Sequence, residues 1–140
     1  MNKKPKRKTD RQKTIARLDV LFSGFIRKRA MQRVSGCERA KYVKGHKPTR
    51  DWKELDCAHR HSRRKLTVRW DERNAAGLCG GCHMYLDSHP EEQIEFFRNL
   101  LGEEEYEGLY IRANMTTKQS LMDYNLIEIY LKQKIKELEE

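Results

Sequence analysis

The apolar positions of this chain fall into short blocks, and their spacing changes from block to block. Ile15, Leu18, Phe22, Phe25 and Ile26 recur at three- and four-residue steps, which predicts an amphipathic helix over 15–34 that tolerates Gly24. Ser35-Gly36 ends it, and residues 37–52 mix Gly45 and Pro48 with basic residues, as a knuckle followed by a loop does. Two partly alternating runs, 55–59 and 66–70, predict strands joined by the basic turn His61-Ser62-Arg63-Arg64-Lys65, hence a β-hairpin. A helix is expected from Gly81 or Cys82 to Ser88, stopped by Pro90. Ile94, Phe96, Phe97, Leu100 and Leu101 mark a short helix ended by Gly102, and 103–110 another. From Thr117 to the end, Tyr124, Ile127, Leu131, Ile135 and Leu138 form one stripe of a long helix, available to the domain or to a second protomer in a homodimer. The class predicted is α+β, divided into a flexible basic arm (1–14), an N-terminal helix (15–34), a core (35–101) and a helical extension (102–140).

Composition adds a partner. Hydrophobic and charged residues are nearly equal, 37% and 36%, which leaves little apolar material for a large core, so something besides apolar burial is expected to help hold the fold together. Of the 30 Lys and Arg residues, 23 lie in the first half of the chain, which carries only 6 of the 21 acids. Such a basic half is the electrostatic footprint of a nucleic-acid binder, because each neutralised phosphate releases counterions. Arg63, Arg64, Lys65 and Arg69, with the arm, are the expected DNA contacts. No apolar run approaches the roughly 18 residues of a membrane span, and no apolar signal core follows the basic start, so a cytoplasmic protein is expected. In a reducing compartment Cys37, Cys57, Cys79 and Cys82 read as metal ligands or buried thiols.

The chemistry concentrates between Asp56 and Asp87. His83 and Asp87, four apart on a helix, share a face and can bind one cation, with Asp56 as a further oxygen donor. Carboxylate, imidazole and water suit Mg²⁺ or Mn²⁺ best, although the imidazole leaves Ni²⁺, Co²⁺ and Zn²⁺ open. His59, at the end of the first strand, can face His83 and act as a base, while Asn74 can tie the hairpin back through its side chain. Cys79-Gly80-Gly81-Cys82 is a C-x₂-C knuckle, with Cys37 where a first knuckle begins and Ala40 where its second cysteine would stand. A structural Zn²⁺ wants four ligands, and Cys57 or His46 can complete the set, or the site is three-coordinate or lost. His46, His61 and His89 otherwise read as structural or surface residues.

The order His59, Asn74, His83, with the knuckle running into the last histidine, resembles the HNH nuclease family. Leu18-Asp19-Val20-Leu21-Phe22 with Ile26-Arg27, the run from Trp52 to His59, and Val68-Arg69-Trp70-Asp71 leading to Asn74 are similar to the phage NinG/Rap recombination-nuclease group. The resemblance covers residues 18–101. It implies a ββα-metal core, a divalent cation at the hairpin–helix junction, and DNA cleavage leaving 5′-phosphate and 3′-hydroxyl ends. By position it makes His59 the general base, Asn74 the hairpin brace and His83 a metal ligand, with Asp56 and Asp87 as further ligands. A non-catalytic zinc-knuckle nucleic-acid-binding protein is the alternative from another class.

Overall fold

The computed structural model describes every residue except 1, 117 and 119. Its elements run α1 (Asp10–Val34), β1 (Leu55–His59), β2 (Ala75–Cys79), α2 (Gly80–Ser88), α3 (Pro90–Leu101), α4 (Glu103–Ala113) and α5 (Leu121–Glu139), an α+β arrangement around a two-stranded antiparallel sheet. Among the described residues no helix is long and apolar enough to cross a membrane.

The first helix starts earlier than its apolar stripe. Thr9 and Gln12 form a capping box, each side chain accepting the other's backbone N–H, so the helix begins at Asp10 and the arm shrinks to the residues before it. The Thr-x-x-Gln spacing is the sequence signal for that start. At the far end Ser35 takes a left-handed conformation (φ 59°) and donates its N–H to the Met31 carbonyl, which turns the chain toward Cys37.

β1 lies where the alternation put it; its partner does not. Residues 66–70 form turns, and the second strand is Ala75–Cys79, paired from Leu55↔Cys79 to His59↔Ala75. The reason is the distance to α1. A Cβ on Gly77 would lie 2.6 Å from the Ala30 Cβ, so only a strand of small residues fits beneath the helix. Tertiary packing here overrides the β-branched preference that made 66–70 attractive. Glu38 secures β2 from the other side: its carboxylate accepts the Gly77 N–H at 2.6 Å and its own N–H donates to the Gly77 carbonyl at 2.9 Å.

The long connection between the strands is organised by Asn74, which is fully buried. Its Oδ1 accepts the His61 N–H (2.8 Å), and its Nδ2 donates to the His61 and Val68 carbonyls (3.0 Å each). Arg69 pins this connection to α1 through two bonds to Asp19 (3.0 and 2.6 Å), beside the Trp70 indole N–H (2.9 Å). Burial alone would raise the Asp19 pKa; the bonds from Arg69 and Trp70 outweigh it and hold the carboxyl below its ordinary value.

The core has two main parts. Leu55, Ala58, Ala76, Leu78, Leu86, Phe96 and Phe97 fill the space among the sheet, α2 and α3. Leu18, Phe22, Phe25, Ile26, Trp70, Tyr124 and Leu131 fill the space between α1 and α5. The apolar stripe of the last helix, including Ile127, Ile135 and Leu138, is therefore spent on α1 of the same chain. The expected start of that helix at Thr117 lies outside the described residues, and the helix itself opens at Leu121 behind a Ser120–Asp123 capping box.

Candidate functional site

β2 passes directly into α2, so residues two and three positions beyond the strand occupy the helix's first turn. Cys79 caps that helix: its Sγ accepts the Cys82 N–H at 3.4 Å. The end of α1 brings Cys37 to the same place, where the Thr49 hydroxyl accepts its N–H at 3.2 Å. The loop after it delivers His46, whose Nε2 lies 3.3 Å from the Cys79 sulfur. One ligand atom from each of Cys37, His46, Cys79 and Cys82 falls within 4.8 Å of all the others. Tetrahedral zinc at about 2.3 Å from sulfur requires separations of about 3.8 Å, so modest closure suffices, and this set can hold a metal such as zinc.

The donor chemistry fits. The Lys47 carbonyl, 2.7 Å from His46 Nδ1, can only accept, so Nδ1 carries the proton and Nε2 keeps its lone pair toward the sulfurs. Burial opposes ionisation of Cys79, but the Cys82 N–H and its neighbours bring it down to about 7. Burial pushes Cys37 up to about 12 and also raises Cys82, although the Arg39 guanidinium, 3.6 Å from the Cys82 sulfur, works the other way. Arg39 also stacks on Tyr85 at 4.4 Å, which holds its positive charge beside the Cys82 thiol.

His46 therefore takes the fourth place, and Cys57 does not. Neighbouring residues on a strand alternate in direction, and Cys57 packs with the α1–α5 cluster while Ala58 joins the other. Its thiol is pushed up to about 12 by burial, and it lines the cleft beside His59, away from the tetrad. No fixed spacing in the sequence marks His46, since a loop of irregular shape brings it to the knuckle.

On the other side of β1 a cleft of about 350 Å³ is lined by Asp19, Phe22, Ser23, Arg27, Asp56, His59, Arg63 and His83, among others. Larger hollows exist, such as one of about 600 Å³ between Glu91 and Glu103, but it holds neither imidazole nor thiol. His59 sits in the cleft wall with its ring 5.5 Å from that of Phe22, and its Nε2 meets the Arg69 carbonyl at 3.2 Å. A carbonyl accepts, so Nε2 bears the hydrogen and Nδ1 keeps a free lone pair. Burial lowers the His59 pKa, more than the Arg69 carbonyl raises it, so the ring is neutral at neutral pH.

His83 is flanked on both ring edges. Asp56 Oδ2 lies 3.1 Å from Nδ1, and Asp87 Oδ2 lies 3.5 Å from Nε2. The two carboxylates thus meet opposite nitrogens and cannot share one cation with the same ring atom. Of the two, Asp56 lines the cleft with His83 and Asp87 does not. The i,i+4 spacing juxtaposes His83 with Asp87, whose Oδ2 stands at the ring nitrogen opposite the one that meets Asp56.

Around the cleft, Arg63, Arg64 and Lys65 are exposed, whereas the Arg69 side chain is committed to Asp19 and only 18% exposed. Through Asp19 it anchors the loop to α1. His61 packs its half-buried ring toward Tyr110, and burial lowers its pKa to about 4; His89 stacks on Tyr85 at 4.0 Å. No protein-family model, curated protein or solved structure matches this chain.

Proposed function

We propose that the protein is a metal-dependent DNA endonuclease of the HNH kind, with β1, β2 and α2 as its ββα-metal core. The observation that carries this reading is the cleft, where a neutral, oriented imidazole (His59) opens onto the same space as a carboxylate–imidazole pair, Asp56 and His83. Phosphodiester hydrolysis needs a base for water and a means of offsetting charge on the phosphoryl oxygens.

His59 Nδ1 accepts the proton from water, and the Arg69 carbonyl holds the ring so that Nδ1 is the atom that receives it. Asp56 and His83 are the donors for Mg²⁺ or Mn²⁺, which when bound supplies Lewis-acid stabilisation of the phosphoryl charge. Asp87 fixes the His83 ring from its outer edge. Asn74 keeps the Arg69 carbonyl in place by closing the loop that bears it. The water oxygen then bonds to phosphorus as the 3′ oxygen leaves with the electron pair of the broken P–O bond and takes a proton from solvent, while His59 returns its own proton to solvent, giving 5′-phosphate and 3′-hydroxyl ends. Arg63, Arg64, Lys65 and the arm grip the backbone, which makes binding salt-dependent and weakly sequence-specific.

The Cys37/His46/Cys79/Cys82 set, holding Zn²⁺, braces the start of α2. We assign the enzyme to the cytoplasm, in a phage or prophage setting. A homodimer formed through α5 would use Met122, Leu126, Ile129 and Tyr130, which are exposed, and sedimentation tests it.

The test is incubation of supercoiled plasmid with wild type and His59→Ala, each with Mg²⁺, Mn²⁺ or EDTA. Metal-dependent conversion to open-circular or linear DNA is expected, with His59→Ala slower by roughly 10²–10⁴-fold. Intact DNA binding without conversion by the wild type in any metal would replace this reading with a non-catalytic zinc-knuckle module, which the assembled Cys/His set and the basic half also favour.

A further inference from the structure

One face of α1 forms part of the cleft wall through residues spaced four apart: Asp19, Ser23 and Arg27. Their electrostatic states differ. Asp19 is neutralised by Arg69 and the Trp70 indole, with Arg63 a more distant 3.9 Å away. Arg27 makes no ion pair among the described residues. Its Nε donates to the Ser23 carbonyl at 3.1 Å, and its guanidinium lies over the Trp52 ring at 4.6 Å from the centroid. Trp52 stands in the short turn Trp52–Glu54, directly before β1, and its ring also has the Lys28 ammonium 5.0 Å away.

These contacts use the Nε–H and the flat face of the guanidinium, and among the described residues its two terminal nitrogens have no hydrogen-bond partner. An arginine held in this way has lost most of its rotamer freedom before any ligand arrives. Its planar fork matches two oxygens of a phosphate in bidentate geometry. Arg27 lines the same cleft as His59, Asp56 and His83.

We infer that Arg27, propped by Trp52 and the Ser23 carbonyl, is the seat for the non-bridging oxygens of the DNA phosphate that is cut. The inference rests on the nuclease reading for the word "cut", and on the cleft alone for the phosphate seat. Arg27 is then a catalytic residue, since it touches the reacting phosphate. Trp52 is a positioning residue, acting through Arg27. The exposed Arg63 belongs to the rim, where contacts change affinity more than turnover.

The experiment compares wild type, Arg27→Ala, Arg27→Lys and Trp52→Leu as full-length proteins. Binding of a fluorescein-labelled DNA duplex is measured by anisotropy in EDTA across a salt series, and plasmid cleavage is measured in Mg²⁺ at saturating DNA. Melting curves control for folding. Arg27→Ala is expected to lower the slope of log affinity against log salt by about one and to reduce kcat by roughly 10²-fold. Arg27→Lys should keep the wild-type salt slope, because its charge remains, yet recover little of the kcat, because the fork is gone. Trp52→Leu should reduce kcat with the slope unchanged.

Wild-type cleavage with Arg27→Ala indistinguishable in slope and kcat overturns the seat and leaves the nuclease standing. A rise in KM alone also overturns it, by moving Arg27 to the rim. Wild-type binding without cleavage, with the slope lowered in Arg27→Ala, keeps the phosphate seat and ends the nuclease reading. Absence of duplex binding by the wild type overturns both.

Discussion

Cys82 and His83 are consecutive on α2, yet they face sites of opposite kind. Cys82 is 5% exposed and turns into a closed set of four soft donors, with an arginine against its sulfur. The His83 side chain is 31% exposed and turns toward a cleft, flanked by carboxylates that are themselves 50% and 60% exposed. A step of about 100° around one helix separates the two environments. Closure favours a metal that braces structure, whereas an open, oxygen-rich site leaves positions for water and substrate. On the proposed nuclease reading, the same short helix would be fixed by one ion and work with another.

The sharpest way to break this contrast is to attack the closed set. Cys82→Ser, or prolonged stripping with a strong chelator, should remove one zinc per chain and collapse the fold, because structural zinc in isolated knuckles contributes on the order of 10 kcal/mol. Metal content by mass spectrometry and the melting midpoint check it. Retention of a sharp, unshifted transition without metal would make the tetrad incidental.

In the cleft the expected pattern is reversed. Asp56→Ala should abolish metal-dependent cleavage with little change in melting, while Asp87→Asn should weaken the cation by about 10–100-fold and be rescued at high Mg²⁺ or Mn²⁺. Metal titration of the cleavage rate distinguishes them. Equal effects, with no rescue of Asp87→Asn, would make both carboxylates direct ligands.

Between the two sites runs β2. Gly77→Ala places a methyl 2.6 Å from that of Ala30, so α1 must shift, at a cost of about 1–3 kcal/mol in urea unfolding. The cleft should suffer more than the tetrad, because α1 supplies Asp19, Ser23 and Arg27 to the cleft wall. Unchanged stability would show that the helix has slack.

The smallest effect is acidic. His59 and His61 both have folded pKa values below the ordinary 6.5, His61 at about 4, because burial penalises the charged ring. The unfolded chain takes up these protons first. Stability is then full above about pH 6.5 and falls as the pH drops toward 4. His61→Gln, whose backbone bonds to Asn74 persist, should flatten that slope in urea unfolding measured between pH 7 and 4. An unaltered slope would assign the acid loss to other groups.

Much of this was legible in the chain. The Ile15–Ile26 periodicity, the position of β1, the C-x₂-C knuckle entering a helix, and the i,i+4 pairing of His83 with Asp87 are local patterns, and local patterns are set by backbone geometry alone. The charge gradient is likewise a property of the sequence.

Tertiary structure decided the rest. Ala75-Ala76-Gly77 is a poor strand by intrinsic preference, and it becomes β2 because α1 comes too close for larger residues. His46 becomes the fourth member of the tetrad only through the path of its loop, and Cys57 is excluded by the alternation of a strand whose two sides meet different neighbours. Arg69 and Arg27 show the same limit from the other direction. Both are single basic residues in a basic half, yet the fold ties one to a carboxylate and, among the described residues, sets the other against a carbonyl and an aromatic face. The partners that settle such roles lie on elements distant in the chain, and spacing along a sequence carries no information about which distant elements will touch.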